Sequence, residues 1–321
     1  MNCAFAWRGI GAGLLGLLLI ARAVSAAPFA FATNQGANSV TVIDLALNRP
    51  LKNIPVGEAP AGVAIERHHH RIFVTTPAAH AISVIDADSL ARTDTIAFPD
   101  EVLGIAADPI RDRIYVADWN GNHVVAIDTQ SLRAVRTFAT GRTPAGVAVS
   151  AAGDRLVVAN RDDNTVSVFD LGTNNLLATL PVGKAPFGVT IARDGSQFFV
   201  ANVQSDSVSV VDLESLRVSA EIKVGDGPYA IAHNPARARL LVTNQQSGDV
   251  SIIDLKQRRT QTQLVAADYV EGIDYDEVLD RYYVASWFDN MLLVIDGKTE
   301  QIIARIPCED GTRAFGEFIL R

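Results

Sequence analysis

Two tryptophans, Trp119 and Trp287, lie far apart in the chain, each just after a strand-like run, with Phe288 beside the second and Tyr269 shortly before it. Such rings can stack on a ligand or a partner when half exposed, and can equally lie flat over neighbouring structure. Charged residues fall in nearby loop positions. Glu101 and Glu271 are carboxylates where comparable loops carry Ala, Pro or aromatics, and Arg142, Arg161, Lys184 and Arg313 supply basic counterparts. Paired carboxylates at a suitable separation perform acid–base work, whereas isolated ones in loops are solvated surface charges. His233 and Glu317 each interrupt an otherwise apolar run. His68-His69-His70 offers three imidazoles for a divalent metal. With no Cys or carboxylate at ligand spacing, it reads as a solvated hairpin turn.

What positions these residues is a repeat. Asp44, Asp86, Asp128, Asp170, Asp212, Asp254 and Asp296 recur at one constant interval, each closing a run of the Val-Ser-Val-Ile-Asp kind. A period of about 40 residues with several short strands per unit predicts a β-propeller. Seven such units account for the whole span 28–321. One unit, residues 187–223, reads as four strands separated by Asp-Gly, Asn and Pro-Gly punctuation. The chain enters the repeat at a second strand, Phe29 to Asn34, and leaves it at a first strand, Phe315 to Leu320. An all-β, seven-bladed propeller with four-stranded blades follows. It is closed by the C-terminal inner strand pairing with the N-terminal blade, which removes two open edges. Trp119 and Trp287, four repeats apart, then share one slot in the third and seventh blades, at a mouth built by the loops of one face. The recurring Asp residues are expected to cap turns, and Arg71, Arg113, Arg155, Arg239 and Arg281 to form a solvated rim. His233 and Glu317 are expected beside the central channel.

Four second strands, Phe31-Ala32-Thr33-Asn34, Val157-Val158-Ala159-Asn160, Phe199-Val200-Ala201-Asn202 and Leu241-Val242-Thr243-Asn244, resemble the motif of the YVTN family of β-propeller repeat proteins. The flanking Asp163–Asp170 and Pro181–Val189 stretches are similar to the same repeat. The resemblance spans residues 28–321. It implies an exported bacterial propeller, with some members that bind DNA and relatives that hold haem or act as lactonases, and so no single reaction.

Residues 1–26 differ in kind. Arg8 precedes the apolar run Ile10 to Ile20, and Val24-Ser25-Ala26 resembles a cleavage site, so a secretory leader is expected, with 27–321 as one domain. Its removal takes away Arg8 and Arg22 and leaves 26 basic against 36 acidic residues, a balance unsuited to nucleic acid or an anionic membrane. It also leaves Cys308 as the sole cysteine, a small core hydrophobe with no disulfide partner. No haem-attachment, nucleophile-elbow, Walker, dinucleotide or EF-hand pattern occurs. The reading that results is a monomeric periplasmic (or secreted) non-enzymatic platform, without cofactor, that engages a protein or small ligand at the mouth. The rivals are a haem- or quinone-dependent oxidoreductase or lactonase-like hydrolase using channel carboxylates and, third, DNA binding.

Overall fold

The computed structural model describes Met1 and residues 28–321, so the expected leader lies outside the described residues. Seven sheets, antiparallel apart from one short parallel pairing, are arranged as blades of a propeller, and no helix among the described residues is long and apolar enough to cross a membrane. Blades 3 to 7 use consecutive strands; blade 5, for example, runs Pro186–Ile191, Gln197–Asn202, Ser207–Asp212 and Arg217–Lys223 from the channel outward. Second and third strands such as Phe29–Asn34 and Ser39–Asp44 are buried on both faces, because each blade packs between two others. This explains why apolar residues there outrun simple alternation. The outermost strands, such as Ala91–Ala97, are mostly exposed and carry the polar residues. Every third strand meets its outer neighbour with a register shift, as between Val168 and Phe169, which adds twist to the blade.

The repeat motif has a physical content. Asn34 donates its buried amide to Ser39 Oγ and Thr41 Oγ1, both at 2.9 Å. Asn160 does the same to Thr165 and Ser167, Asn202 to Ser207 and Ser209, and Asn244 to Asp249 and Ser251. The amide thus ties the second strand to the third within a blade. All seven repeating Asp residues accept backbone N–H groups of the following turn, as Asp128 Oδ1 does from Ser131 at 2.7 Å. The bonds donated by these turns hold the Asp86, Asp128, Asp170, Asp212, Asp254 and Asp296 carboxyls below their ordinary range. The five arginines differ from the expected solvated rim. They are half-buried, because the register sets each directly across from a turn Asp (Arg155 from Asp170, Arg239 from Asp254). Arg71 and Arg239 also reach the next blade, at the Thr129 carbonyl and Glu300.

Innermost strands approach each other too closely for side chains at one recurrent position. A Cβ on Gly104 would lie 1.8 Å from the Ala145 carbonyl oxygen, and one on Gly188 2.3 Å from that of Tyr229. Gly62, Gly146 and Gly272 occupy the same slot.

The ring closes as expected, with one refinement. The C-terminal segment is two short pieces. Ile319–Leu320 pairs antiparallel with Phe29–Ala30, while Phe315–Gly316 runs parallel to Gly62–Val63 of blade 2. Between them Phe318 is fully buried, its carbonyl accepting from Phe31 N at 2.9 Å. On the blade 7 side, Asp274 Oδ2 accepts from the Phe318 and Ile319 amides at 2.9 and 3.1 Å, and Arg321 pairs with Asp276. Burial, with the Glu317 carboxylate nearby, pushes Asp274 up to about 7.

Deleting Phe315–Arg321 bares the edges of Phe29–Asn34 and Gly62–Glu66, and the denaturant melt of that truncation is expected to lose cooperativity and midpoint; a melt superimposable on the full chain refutes the closure. Asp274 acts on stability oppositely to the turn aspartates. Their depressed carboxyls stabilise the fold above about pH 4 and lose that contribution on acidification. Asp274, raised in the folded state, is increasingly penalised as pH climbs from about 4 to 7. Asp274→Asn is therefore expected to remove a decline in Tm across that window; parallel pH curves for variant and wild type contradict this.

Candidate functional site

Loops that enter the innermost strand and loops that leave the second strand emerge at one end of the ring. There they enclose a cavity of about 520 Å³. Two slots of the repeat build it. The residue after each second strand forms the wall: Gln35, Pro77, Trp119, Arg161, Gln245 and Trp287 line the cavity, and only Val203 of this set does not. One residue near the start of each innermost strand forms the floor, through Leu103, Phe187, Tyr229, Glu271 and Arg313. These floor residues recur at the repeat interval, and Ala61 and Ala145 occupy the two remaining positions of the column. Reading that column down the sequence was the available signal for Phe187 and Tyr229, which were not among the expected site residues.

The floor is aromatic on one side. Phe187 and Tyr229 rings lie 4.5 Å apart, and both pack on Phe315 at 5.2 and 5.4 Å. Trp119 leans on Phe187 at 6.2 Å. The other side is a polar cluster. The Arg313 and Glu271 side chains form an ion pair (Nε to Oε2, 2.7 Å), Arg313 Nη2 donates to the Tyr229 hydroxyl (2.7 Å), and Gln245 Nε2 donates to Glu271 Oε1 (2.5 Å). The guanidinium faces the Trp287 ring 5.3 Å from its centroid, a cation–π arrangement. Burial pushes the Glu271 carboxyl above its ordinary range, with Arg313 pulling it back, and burial likewise raises the Tyr229 phenol, which remains neutral. Arg313 stays charged: burial works against the cation, and Glu271 and Tyr229 outweigh it.

Trp287 is half-buried, met edge-on by Tyr269 at 5.6 Å and stacked on Phe288 at 6.1 Å. Phe288 is exposed on the rim. Trp119 is also half-buried. Glu101 is exposed at the cavity's edge. Of the other three basic residues expected as counterparts of the acids, Arg161 lines the cavity and pairs with Asp162 at 2.8 Å. Arg142 and Lys184 stay exposed on the rim, Arg142 held by Asp163 at 2.6 Å. The lining therefore carries two acids, Glu101 and Glu271, and two bases, Arg161 and Arg313.

The remaining residues lie elsewhere. His233 is outside the cavity lining, its ring 5.4 Å from that of Phe199, and burial lowers its affinity for a proton. Glu317 is exposed near the opposite end, 3.8 Å from Arg67. Cys308 packs against the core, its thiol pushed up to about 12 by burial. The histidine turn does have carboxylates at hand: Glu66 and, from blade 3, Asp112 both contact it, because a propeller brings equivalent turns of adjacent blades side by side.

Arg313→Ala leaves Glu271, fully buried, without its counter-charge, and is expected to cost about 3–5 kcal/mol of unfolding free energy. Arg313→Met combined with Glu271→Leu should recover most of it; a single variant as stable as wild type in urea melts contradicts the pairing.

Residues 89–236 match the YNCE-like beta-propeller family. No curated protein is significantly similar to the chain. Among solved structures, hydrazine synthase of Kuenenia stuttgartiensis superposes with a TM-score of 0.76 at 19% identity, covering 83% of this chain and 91% of that one. The dihydro-heme d1 dehydrogenase NirN in complex with DHE gives a TM-score of 0.67 at 12% identity, covering 88% and 73%. These likenesses establish the fold, a seven-bladed propeller, similar over residues 89–236 to the YNCE-like beta-propellers.

Proposed function

We propose that this chain is an exported binding propeller of the YVTN type, and that its mouth cavity takes a small ligand with a flat face and hydrogen-bonding edges. One observation carries the reading. The seven equivalent wall positions include Pro77 and Val203, so the slot does not demand an indole, yet two hold tryptophan, across a cavity whose other wall residues include Gln35, Gln245 and Arg161. Indole faces supply apolar contact, and the amides and guanidinium supply orientation. A binding role is favoured over catalysis by the side chains present. Glu271 is tied up by Arg313 and Gln245, and no His, Cys or Met is among the cavity lining, so neither an imidazole proton shuttle nor a thiol nucleophile is at hand. Nucleic acid is disfavoured by the lining's two acids against two bases and by the net charge of −8.

One structural neighbour is a dihydro-heme d1 dehydrogenase in complex with DHE, and this keeps a haem-type ligand as the second choice. Here the lining offers Tyr229 and Tyr269 as oxygen donors and none of His, Met or Cys for an axial bond. A Soret band in protein purified from its native host would favour it over the first reading.

Iodide should quench the emission of both Trp119 and Trp287 in protein lacking residues 1–26, which also lacks Trp7. Trp119→Ala and Trp287→Ala are each expected to weaken binding of a ligand found by fluorescence titration by about 1–4 kcal/mol while leaving the melt nearly unchanged. Blue-shifted, quencher-resistant emission from both rings defeats the proposal.

A further inference from the structure

We propose that the turn between the first two strands of blade 2 is a divalent transition-metal site of the zinc class, made of Glu66, His68 and His69 together with Asp112 of blade 3. It lies at the end of the ring opposite the mouth and is independent of the cavity.

Three donors, from Glu66, His68 and Asp112, converge there, and His69 stands beside two of them. His68 Nδ1 is 3.1 Å from Asp112 Oδ1, His69 Nδ1 is 3.8 Å from the same oxygen, and His69 Nδ1 is 3.2 Å from Glu66 Oε2. Donor atoms of Glu66, His68 and Asp112 all lie within 4.8 Å of one another. Zinc bonds of about 2.1 Å place tetrahedral donors roughly 3.4 Å apart, so the three separations of 3.1, 3.2 and 3.8 Å match three of the six edges of such a tetrahedron. Two imidazoles and two carboxylates form a mixed N/O set that suits Zn²⁺ better than Mg²⁺ or Ca²⁺, and their two negative charges match a dication.

Charge points the same way. The equivalent turn residue of blade 3, Asp108, is neutralised by Arg111 at 3.1 Å, and Asp276 of blade 7 by Arg321. Glu66 and Asp112 have no Lys or Arg partner among the described residues; the only groups near them that can carry positive charge are imidazoles. Arg67, the nearest arginine in sequence, points instead to the Ile319 carbonyl and Glu317. Glu66 is rigidly placed, its side chain 1% exposed and its two oxygens accepting the His68 and His69 amides at 2.7 and 3.0 Å. The His68, His69 and Asp112 side chains are 46%, 28% and 38% exposed, which leaves an entry path for the ion. Gln130 Nε2 stands 2.9 Å from His69 Nε2 and 3.4 Å from Asp112 Oδ2, so one amide touches both side chains from outside the site. A metal held this way would staple blade 2 to blade 3.

The test uses untagged protein stripped with chelator and titrated with ZnCl₂ by calorimetry. One equivalent should bind saturably, raise Tm, and not be mimicked by MgCl₂. The double variant H68Q/H69Q and, separately, Asp112→Asn should each weaken zinc by on the order of tenfold or more, and the Tm rise should vanish with the binding. No saturable uptake at micromolar zinc overturns the site, and so do variants that bind like wild type, which would move the metal to other residues.

Discussion

The approach of neighbouring innermost strands governs this molecule. Where Gly104 passes the Ala145 carbonyl and Gly272 passes that of Ala314, even a methyl group would overlap the next blade, at 1.8 and 1.7 Å. That contact sets how tightly blades crowd around the axis. It therefore sets the radius on which the floor residues stand and the span between wall residues on opposite blades. Blade 6 carries Ala230 in the glycine slot, and its inner strand pairs one residue earlier with its neighbour (Ala230 with Thr243) than blade 5 does (Val189 with Val200). Tyr229, the residue before it, reaches both Phe187 and Arg313. Backbone crowding and site geometry are thus one problem.

Within that frame the repeat leaves each blade two positions free to vary. Capping aspartates and the buried asparagine amides are committed to the blade itself, the first fixing exposed turns and the second satisfying buried strand hydroxyls. Floor and wall slots have no such duty. They can be alanine, as at Ala61 and Ala145, or tryptophan, arginine and glutamate, without altering the sheet. The Arg313–Glu271 pair exploits this freedom across a blade boundary. Arg313 belongs to the closing segment and Glu271 to blade 7, so the last residues of the chain both seal the ring and furnish the cavity.

The architecture was legible because its cause is periodic. Blade number, strand order within a blade, the turn role of Asp128 and its equivalents, and the closing strand all follow from one recurring column of residues. The wall slot holding Trp119 and Trp287 could be found in the same way. Less legible were features that arise between blades. The reach of Arg71 and Arg239 to the next blade, the union of Arg313 with Glu271 and Tyr229, and the arrival of Asp112 beside His68 each join residues of different repeats, and the pairing depends on side-chain reach. Splitting of the final strand was also hidden. Gly316, at φ of 108°, turns the chain so that Phe315 joins blade 2 and Ile319 joins blade 1.

The split closing strand also orders the acquisition of shape in time. Blades 3 to 7 each complete themselves from a continuous stretch, by local hairpins that can form as soon as their residues are available. Blade 1 cannot. Its Phe29 strand must wait, with one edge open, until the far end of the polypeptide arrives to pair with Ala30 through Ile319. In a chain made from its amino end, the first strand of the propeller is the last to find its partner. The interval is a time when a hydrophobic β-edge stands exposed, and its length is set by the remaining blades and not by blade 1.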